Sequence, residues 1–228
     1  MRSRSLVIVA VLLAIAGNSC KKSGGKNLSQ GEIHYSIEYF GDFKSTLKQY
    51  MPKNLIVSFK DDKILFEIAS PIGNSAIINL SNPKKNISDT YISFFTLKYA
   101  YSASPGEVHP GFEAMQGMEI KETDKTAVIC GYNCKNAEVT FPNDRSKIFN
   151  IWYTSEIDVK NPNAATPFHG IDGVLMSFFF FMGPAEMHFT VENVYDKEVS
   201  DKLFERREKF VKVNRDQING LMKKMIDM

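Results

Sequence analysis

The sequence predicts a mainly β protein of the α+β class: a large curved antiparallel sheet, or half-barrel, with a C-terminal amphipathic helix and one short additional helix. Roughly ten segments alternate apolar and polar residues, which is the period of a half-buried strand. Short turns rich in Gly, Pro, Asn and Asp join most of them, as in antiparallel hairpins. The end of the chain instead repeats apolar residues at helical spacing.

The N-terminus has the pattern of an export signal. Arg2 and Arg4 precede an apolar run from Leu6 to Ala16, as in a secretory signal peptide. The run is shorter than the about 20 apolar residues that a transmembrane helix needs. Small residues stand directly before Cys20, which resembles the lipobox of bacterial lipoproteins. The alternative is an ordinary signal peptide that is cleaved elsewhere.

The chain therefore divides into three predicted parts. Residues 1–19 form a lipoprotein signal peptide, residues 20–29 form a flexible tether rich in Gly, Ser and Lys, and residues 30–228 form a single curved-sheet domain. Lipidated Cys20 is the predicted membrane anchor. The net charge of +2, with dispersed Lys and Arg, gives no indication of a nucleic-acid partner.

The first half of the domain predicts strands joined by turns and one long loop. Asp42 can cap a short helix that Pro52 ends. The loop Ser102–Gly111 contains His109 and leads to a helical turn at Phe112–Gln116; such loops are functional or disordered, and both remain open. The predicted strands are Glu32–Tyr39, Leu55–Phe59, Lys63–Ile68, Ser75–Leu80, Tyr91–Tyr101, Met118–Lys121 and Thr126–Cys130.

The second half predicts a hairpin and a Phe-rich strand. The hairpin joins residues 136–141 to residues 147–157, and we place it at the middle of the sheet because its second strand is apolar on both faces. After a polar connection, Asp158–Thr166, comes Val174–Met182 with four consecutive phenylalanines, Phe178–Phe181. Since successive side chains of a strand alternate between faces, two of them must lie on each side of the sheet.

The C-terminal helix is predicted to start at Asn214, which pairs with Gln217 in the manner of a capping box, and Val213 can pack against Ile218. An apolar stripe follows, which predicts either core packing or the flexible wall of a ligand cavity. The residues of this stripe are Ile218, Leu221, Met222, Met225 and Ile226.

Two short helices cannot cover so large a sheet, and this shortfall predicts a concave apolar surface, unless the long loop closes it. The candidate cavity residues are Phe178, Phe180, Trp152, Leu221, Met222 and Met225.

The sequence offers little for catalysis. It has no G-x-S-x-G motif and no phosphate-binding Gly-rich loop before a helix. The acidic pair Asp61–Asp62 lacks a third acid at a metal-ligand spacing, and the four histidines, His34, His109, His169 and His188, are scattered. We predict that the protein is not an enzyme and has no metal site and no cofactor.

Cys130 and Cys134 are the two thiols that remain if Cys20 is acylated. Four residues of extended strand span about 13 Å, which is too far for a disulfide. A bend at Gly131 would shorten this distance, and exported compartments are oxidising. A Cys130–Cys134 disulfide is therefore one of two open alternatives.

Three segments resemble a family pattern: Ile129–Lys135, Trp152–Thr154 and Gly170–Leu175. Their order and spacing are similar to those of Bacteroidota lipoproteins of unknown function, the GLPGLI-type proteins and their relatives. At fold level such families look like the LolA/LolB group, whose half-barrel wraps a helix and holds lipid chains. The resemblance implies a fold and a location in the cell envelope, although fold alone does not imply function.

We expect a membrane-anchored exported lipoprotein that binds a hydrophobic ligand, a lipid or an acyl chain, in the cell envelope. The alternative is a structural or interaction lipoprotein with a filled core that acts as an envelope assembly partner. Lys21 and Lys22 follow Cys20, which indicates outer-membrane sorting. We expect the periplasmic face, with the cell surface as the alternative.

Overall fold

The computed structural model describes residues 25, 27–41, 51–71, 75–182 and 185–227. Within this part of the chain the strands form one open, curved sheet of twelve strands, and the mainly β prediction is confirmed. The predicted signal peptide, Cys20, the start of the predicted tether and the short helix predicted after Asp42 lie outside the described residues. No helix within the described ranges is both long and apolar enough to cross a membrane.

The strand bounds follow the predicted segments closely. The strands are β1 (Gln30–Phe40), β2 (Asn54–Lys60), β3 (Lys63–Ala69), β4 (Ala76–Asn82), β5 (Ile87–Phe94), β6 (Leu97–Ser102), β7 (Glu119–Ile129), β8 (Tyr132–Phe141), β9 (Asp144–Thr154), β10 (Val174–Met182), β11 (Ala185–Tyr195) and β12 (Val211–Lys212). Short 3₁₀-helices lie at Pro83–Lys85, Glu113–Met115 and Asp201–Phe204.

Two antiparallel meanders meet at β1. The spatial order is β12-β6-β5-β4-β3-β2-β1-β11-β10-β9-β8-β7, so β1 pairs with both β2 and β11. Among the named strands of the described residues, β12 alone is parallel to its neighbour, which is β6. The prediction that the hairpin β8–β9 lies at the middle is therefore wrong, because β1 and β2 occupy that place. The second strand of the hairpin has apolar residues on both faces, but Ile148 is 51% exposed, so apolar residues on both faces do not show that a strand is central.

The structure divides one predicted strand into two and joins two other predicted strands into one. The run Tyr91–Tyr101 is a hairpin, since Phe95 adopts a φ of +54° and reverses the chain between β5 and β6. Conversely, Met118–Lys121 and Thr126–Cys130 are parts of the single strand β7, which carries an irregularity between Thr123 and Thr126. Both differences concern local turns within otherwise correct β segments.

The C-terminal helix, Arg215–Asp227, has the predicted cap. The backbone N–H of Gln217 donates to Asn214 Oδ1 at 2.9 Å, and the Asn214 N–H donates to Gln217 Oε1 at 3.0 Å. Ile218 and Met222 pack against Ile92 of β5, so the stripe serves as core.

The opposite face of β3, β4 and β5 is covered by the segment after β11. Val199 and Phe204 pack there against Leu65, Leu80 and Tyr91. This part of the sheet is therefore covered by the chain's own residues on that face as well.

Candidate functional site

A cavity of about 60 Å³ lies between the sheet and two loops. We call the sheet surface that carries Ile33, Tyr35 and Phe178 the loop-covered face. The loops are the first loop (residues 103–118), which follows β6, and the second loop (residues 155–173), which connects β9 to β10. Because these segments lie over the sheet, the area that two helices could not cover is mostly filled by the chain itself. The cavity is lined by Ile33, Tyr35, Leu55, Val57, Phe59, Ile64, Phe66, Ile68, Asn79, His109, Phe112, Val159, Pro162, Asn163, Thr166, Phe168, Val174, Leu175, Phe178 and Phe180.

Two of the predicted cavity residues line it. Phe178 and Phe180 both stack on Phe189 of β11, with ring centroids 4.8 and 4.5 Å apart. Phe112 of the first loop meets Phe180 edge-on at 5.2 Å. The Phe-rich strand therefore forms the floor of the cavity, and the first loop forms part of its roof.

The other four predicted cavity residues do not line it, which corrects the prediction. Trp152 is partly buried against the main core. Leu221, Met222 and Met225 pack with Ile92 in a separate cluster beside β6. The helix follows directly from β12, and its stripe packs against β5 and β6 rather than in the lining of the cavity.

The reverse side of the Phe-rich strand is also filled. Phe179 is 1% exposed and stacks on Phe149 of β9 with centroids 4.1 Å apart and planes 15° from parallel. Phe181 meets Phe149 edge-on at 5.6 Å, and Phe141 lies against both Phe179 and Phe181. The alternation of the four phenylalanines is as predicted, and both sides of the strand are packed by the chain's own residues.

One end of the cavity is polar, and the sequence did not indicate it. His109 of the first loop is 2% exposed, and its Nδ1 lies 3.1 Å from Thr90 Oγ1 on β5. The Thr90 hydroxyl donates to Asn79 Oδ1 on β4 at 2.8 Å. The backbone N–H of His109 donates to the Ala165 carbonyl at 3.0 Å, which joins the two loops. The sequence predicts no specific role for His109 and does not distinguish it from the other three histidines.

The hydrogen bonds assign the tautomer of His109. Threonine has a single hydroxyl proton, and here it is directed at Asn79. With the Asn79 amide oriented so that its Oδ1 accepts the Thr90 proton, Nδ1 of His109 donates to Thr90 Oγ1, and Nε2 carries the lone pair. Burial lowers the pKa of His109 to about 4, with smaller opposing effects of Asp89 and Glu107 and a supporting effect of Arg215. The ring is neutral at neutral pH.

This pKa predicts a stability loss in mild acid. Because the folded pKa is about 4 and the unfolded value is about 6.5, the unfolded chain binds more protons between these values, and stability falls as the pH drops through this window. We expect a loss of about 3 kcal/mol between pH 7 and pH 4 from this group. Chemical denaturation followed by the fluorescence of Trp152, the single tryptophan, measures it.

The variant His109→Asn is the matched control, because its amide can still donate to Thr90 but does not titrate. We expect its pH dependence to be shallower than that of the wild type above pH 5. His169 is exposed, so His169→Asn should keep the wild-type profile. Equal slopes in wild type and His109→Asn would contradict the assigned role of burial.

Arg215 fastens the first loop to the C-terminal helix. Its guanidinium donates to Glu107, to the Val108 carbonyl at 2.9 Å and to Glu113 Oε1 at 3.1 Å. Asn219, one helical turn later, donates to the same Glu113 oxygen at 2.8 Å. The helix thus holds the loop segment that carries His109 and Phe112 against the sheet.

We expect Arg215→Met to loosen the first loop without unfolding the sheet. The hydrogen bonds of a charged donor are lost, which lowers the free energy of local opening by about 1–2 kcal/mol. Hydrogen exchange of the His109 and Met115 amides measures this opening. Lys223→Met, an exposed change on the same helix, should leave their exchange unchanged, and so should strand amides in β1. A global loss of protection in Arg215→Met would contradict a local role.

Of the two alternatives for Cys130 and Cys134, the structure has the one without a disulfide between them, since Cys134 is a free cysteine. Cys130 and Gly131 both have positive φ, +51° and +79°, and make a tight turn that pairs Ile129 with Tyr132. Cys134 is thereby placed opposite Ala127, and it is a buried, free cysteine. Burial raises the pKa of the Cys134 thiol to about 11, so it stays protonated at neutral pH.

The N-terminal segment joins the domain beside this same turn. The Tyr132 hydroxyl donates to the Gly25 carbonyl at 3.1 Å, and the Asn27 N–H donates to the Glu156 carbonyl at 2.7 Å. Leu28 is 8% exposed and pairs with Ile157. The predicted tether, residues 20–29, is therefore too long, since residues 27–29 belong to the folded domain.

Across the described ranges, no group of three or more His, Cys, Asp or Glu side chains is arranged to hold a metal ion. The cavity is instead a mostly apolar space with one hydrogen-bonding corner. This lining can contact the carbon atoms of an uncharged molecule and form hydrogen bonds with one of its polar groups.

Comparison with known proteins gives the fold only. No protein-family model matches the chain, and no curated protein matches it. The chain is similar to the solved structure of PNGF-II in space group C2, with a TM-score of 0.51 and 19% sequence identity. The match covers 86% of this chain and 32% of PNGF-II, so the chain spans about a third of the length of that structure. At this identity the likeness extends to the shared architecture and no further.

Proposed function

We propose that this protein is a lipid-anchored lipoprotein of the cell envelope that acts as an interaction module with a filled core. The observation that carries this proposal is the packing on both sides of the Phe-rich strand. A cavity of 150 Å³ is the size that accommodates benzene, whereas the space here is about 60 Å³. An acyl chain does not fit without a rearrangement of the loops.

The short connection between Cys20 and the domain determines which end of the domain would lie near the membrane. Four residues separate Cys20 from Gly25, and the chain between them spans at most about 18 Å. Lipidation of Cys20 would therefore keep the β7–β8 turn close to the bilayer. We assign the outer membrane and its periplasmic face to the anchor, as the lysines after Cys20 favour.

The strand ends farthest from Gly25 then point away from the membrane. We call them the distal rim; the pairing register places there the end of β1 and the β5–β6 turn. Three large apolar side chains are exposed at this rim: Phe40 at 47%, Phe95 at 59% and Leu97 at 51%. Exposed aromatic side chains are typical anchors of protein interfaces, so the distal rim is where we place an envelope partner.

Site-specific photo-crosslinking in living cells tests this role. A photoreactive residue in place of Phe95 should give one discrete protein adduct, whereas the same residue at exposed Val128, near the anchored end, should not give it. Substitution of Cys20 by Ser should release the protein from the membrane fraction and reduce the adduct. Absence of a discrete adduct at Phe95, Phe40 and Leu97 would reject the interaction role, and retention of the Cys20 variant in the membrane would reject the anchor.

Binding of a hydrophobic ligand is the second candidate, and the apolar cavity favours it. Native mass spectrometry after gentle purification should then show a bound lipid or acyl chain, released by heating. Binding of such a ligand requires the cavity to widen, which moves the first loop. Faster hydrogen exchange of the backbone amides in the first loop is therefore a second expected result. Protein that is free of ligand under these conditions leaves the filled-core role as the better explanation.

A further inference from the structure

The polar corner of the cavity has hydrogen-bonding capacity that the protein does not use. His109 lines the cavity, and its Nδ1 is bonded to Thr90. Asn79 also lines it, and its Oδ1 accepts the Thr90 proton. In the part of the chain that the structure describes, no hydrogen bond engages Nε2 of His109 or the amide Nδ2 of Asn79. The corner therefore offers one acceptor and one donor side by side on neighbouring elements.

The free acceptor of His109 belongs to a side chain that lines the cavity and is otherwise buried. Polar groups in such positions usually have a hydrogen-bond partner, from the protein or from an ordered molecule. His109 is 2% exposed and is held in place from two sides, through Thr90 and through its own backbone N–H. These bonds hold the ring in place beside the cavity, so a molecule in the cavity is a candidate partner for Nε2.

We propose that this cavity is a binding site for a small, uncharged molecule, or for the uncharged end of a longer one, whose hydroxyl or amide group donates to His109 Nε2 and accepts from Asn79 Nδ2. The rest of the lining is mostly apolar, with Phe59, Phe178 and Phe180 among the side chains that would contact the carbon part of the ligand. The inference is independent of the lipid anchor and of the distal rim.

The charges around the corner favour an uncharged ligand. The cavity lining contains no Lys, Arg, Asp or Glu among the described residues. The charged groups that act on His109 are Asp89, Arg215 and Glu107. Arg215 pairs with Glu107, and Arg206 pairs with Oδ2 of Asp89. A carboxylate or an ammonium ion would be desolvated here without a counter-charge, which is strongly unfavourable.

The size of the cavity limits the free ligand to a few non-hydrogen atoms. The volume of about 60 Å³ is well below the 150 Å³ that accommodates benzene. A longer molecule would insert only its hydroxyl or amide end into the cavity. The rest of the molecule would extend out of the cavity between the two loops, which requires the first loop to open. Because so few atoms are buried, we expect a free small alcohol to bind with a dissociation constant on the order of millimolar.

Nuclear magnetic resonance of the imidazole nitrogens of His109 tests the site in the folded chain. Isopropanol is the probe for a free small molecule, and 1-hexanol is the probe for the end of a longer one. We expect at least one of them to change the Nε2 chemical shift in a saturable way, while the Nδ1 signal keeps its protonated shift. Saturation by isopropanol identifies a free small ligand, and saturation by 1-hexanol alone identifies the end of a longer molecule.

The variant His109→Asn separates binding from folding. It retains a donor for Thr90 but lacks the Nε2 acceptor, so we expect a folded protein in which saturable shifts of the Phe178 and Phe180 ring signals are lost or weakened at least tenfold. His169→Asn should bind like the wild type. Shift changes that stay linear with alcohol concentration, or that are equal in wild type and His109→Asn, overturn the proposal and leave an ordered water as the partner of Nε2.

Discussion

Replacing Phe180 with Asp is expected to unfold the domain. The side chain is 5% exposed, and its ring lies 4.5 Å from that of Phe189 and 5.2 Å from that of Phe112. Truncation of a buried Phe costs about 3–5 kcal/mol, and a carboxylate buried without a partner adds a further penalty. The sum approaches the whole stability of an average domain, about 5–15 kcal/mol. Far-ultraviolet circular dichroism and Trp152 fluorescence should show no cooperative unfolding transition.

Phe95→Asp is the matched control for this change. It introduces the same charge, but Phe95 is 59% exposed and occupies the β5–β6 turn. We expect its free energy of unfolding to stay within about 0.5 kcal/mol of the wild type. A folded Phe180→Asp protein of wild-type stability would mean that the space beside Phe180 is larger and wetter than the packing around it indicates.

The strands could be predicted because their signals are local. The alternation in β1, the turn at Asp61–Asp62 and the four phenylalanines of β10 each act within a few residues, and each has the predicted outcome. The cap of the C-terminal helix is equally local. Sheet order is different, because the pairing of β1 with β11 joins residues that are far apart in the sequence. No local pattern specifies that contact, which is why the hairpin β8–β9 was placed wrongly.

The cavity was predicted only in part for a related reason. Phe178 and Phe180 belong to a strand, so the alternation of side chains predicts that they lie on the same face of the sheet. The two loops that lie over this face, however, contain polar residues, and a polar residue considered by itself predicts a solvent-exposed position. Asn163 is 3% exposed because its amide donates to the carbonyls of Ile171 and Gly173. His109 is buried in the same way by specific partners, and hydrogen bonds between distant segments leave no periodic trace in a sequence.

Gly31→Ala is the second change for which we expect a large effect, because it acts where the two meanders join. A Cβ atom on Gly31 would lie 2.4 Å from the backbone carbonyl oxygen of Tyr195 and 3.2 Å from the ring of Phe59. The backbone φ of +155° is also one that side chains rarely adopt. Since the nearest atom is backbone, relief requires β1 to move away from β11.

We expect Gly31→Ala to lower the free energy of unfolding by about 3 kcal/mol or more, from overpacking together with backbone strain. Gly173→Ala should cost less, because its Cβ would lie 2.8 Å from the Thr154 carbonyl, and Gly170→Ala should be near neutral, since nothing lies within 4 Å. Urea unfolding of the three variants measures this order. Because β1 is the strand through which the meanders contact each other, a Gly31→Ala protein as stable as Gly170→Ala would show that the β1–β11 junction is loose and that the two halves of the sheet are held together mainly by their loops.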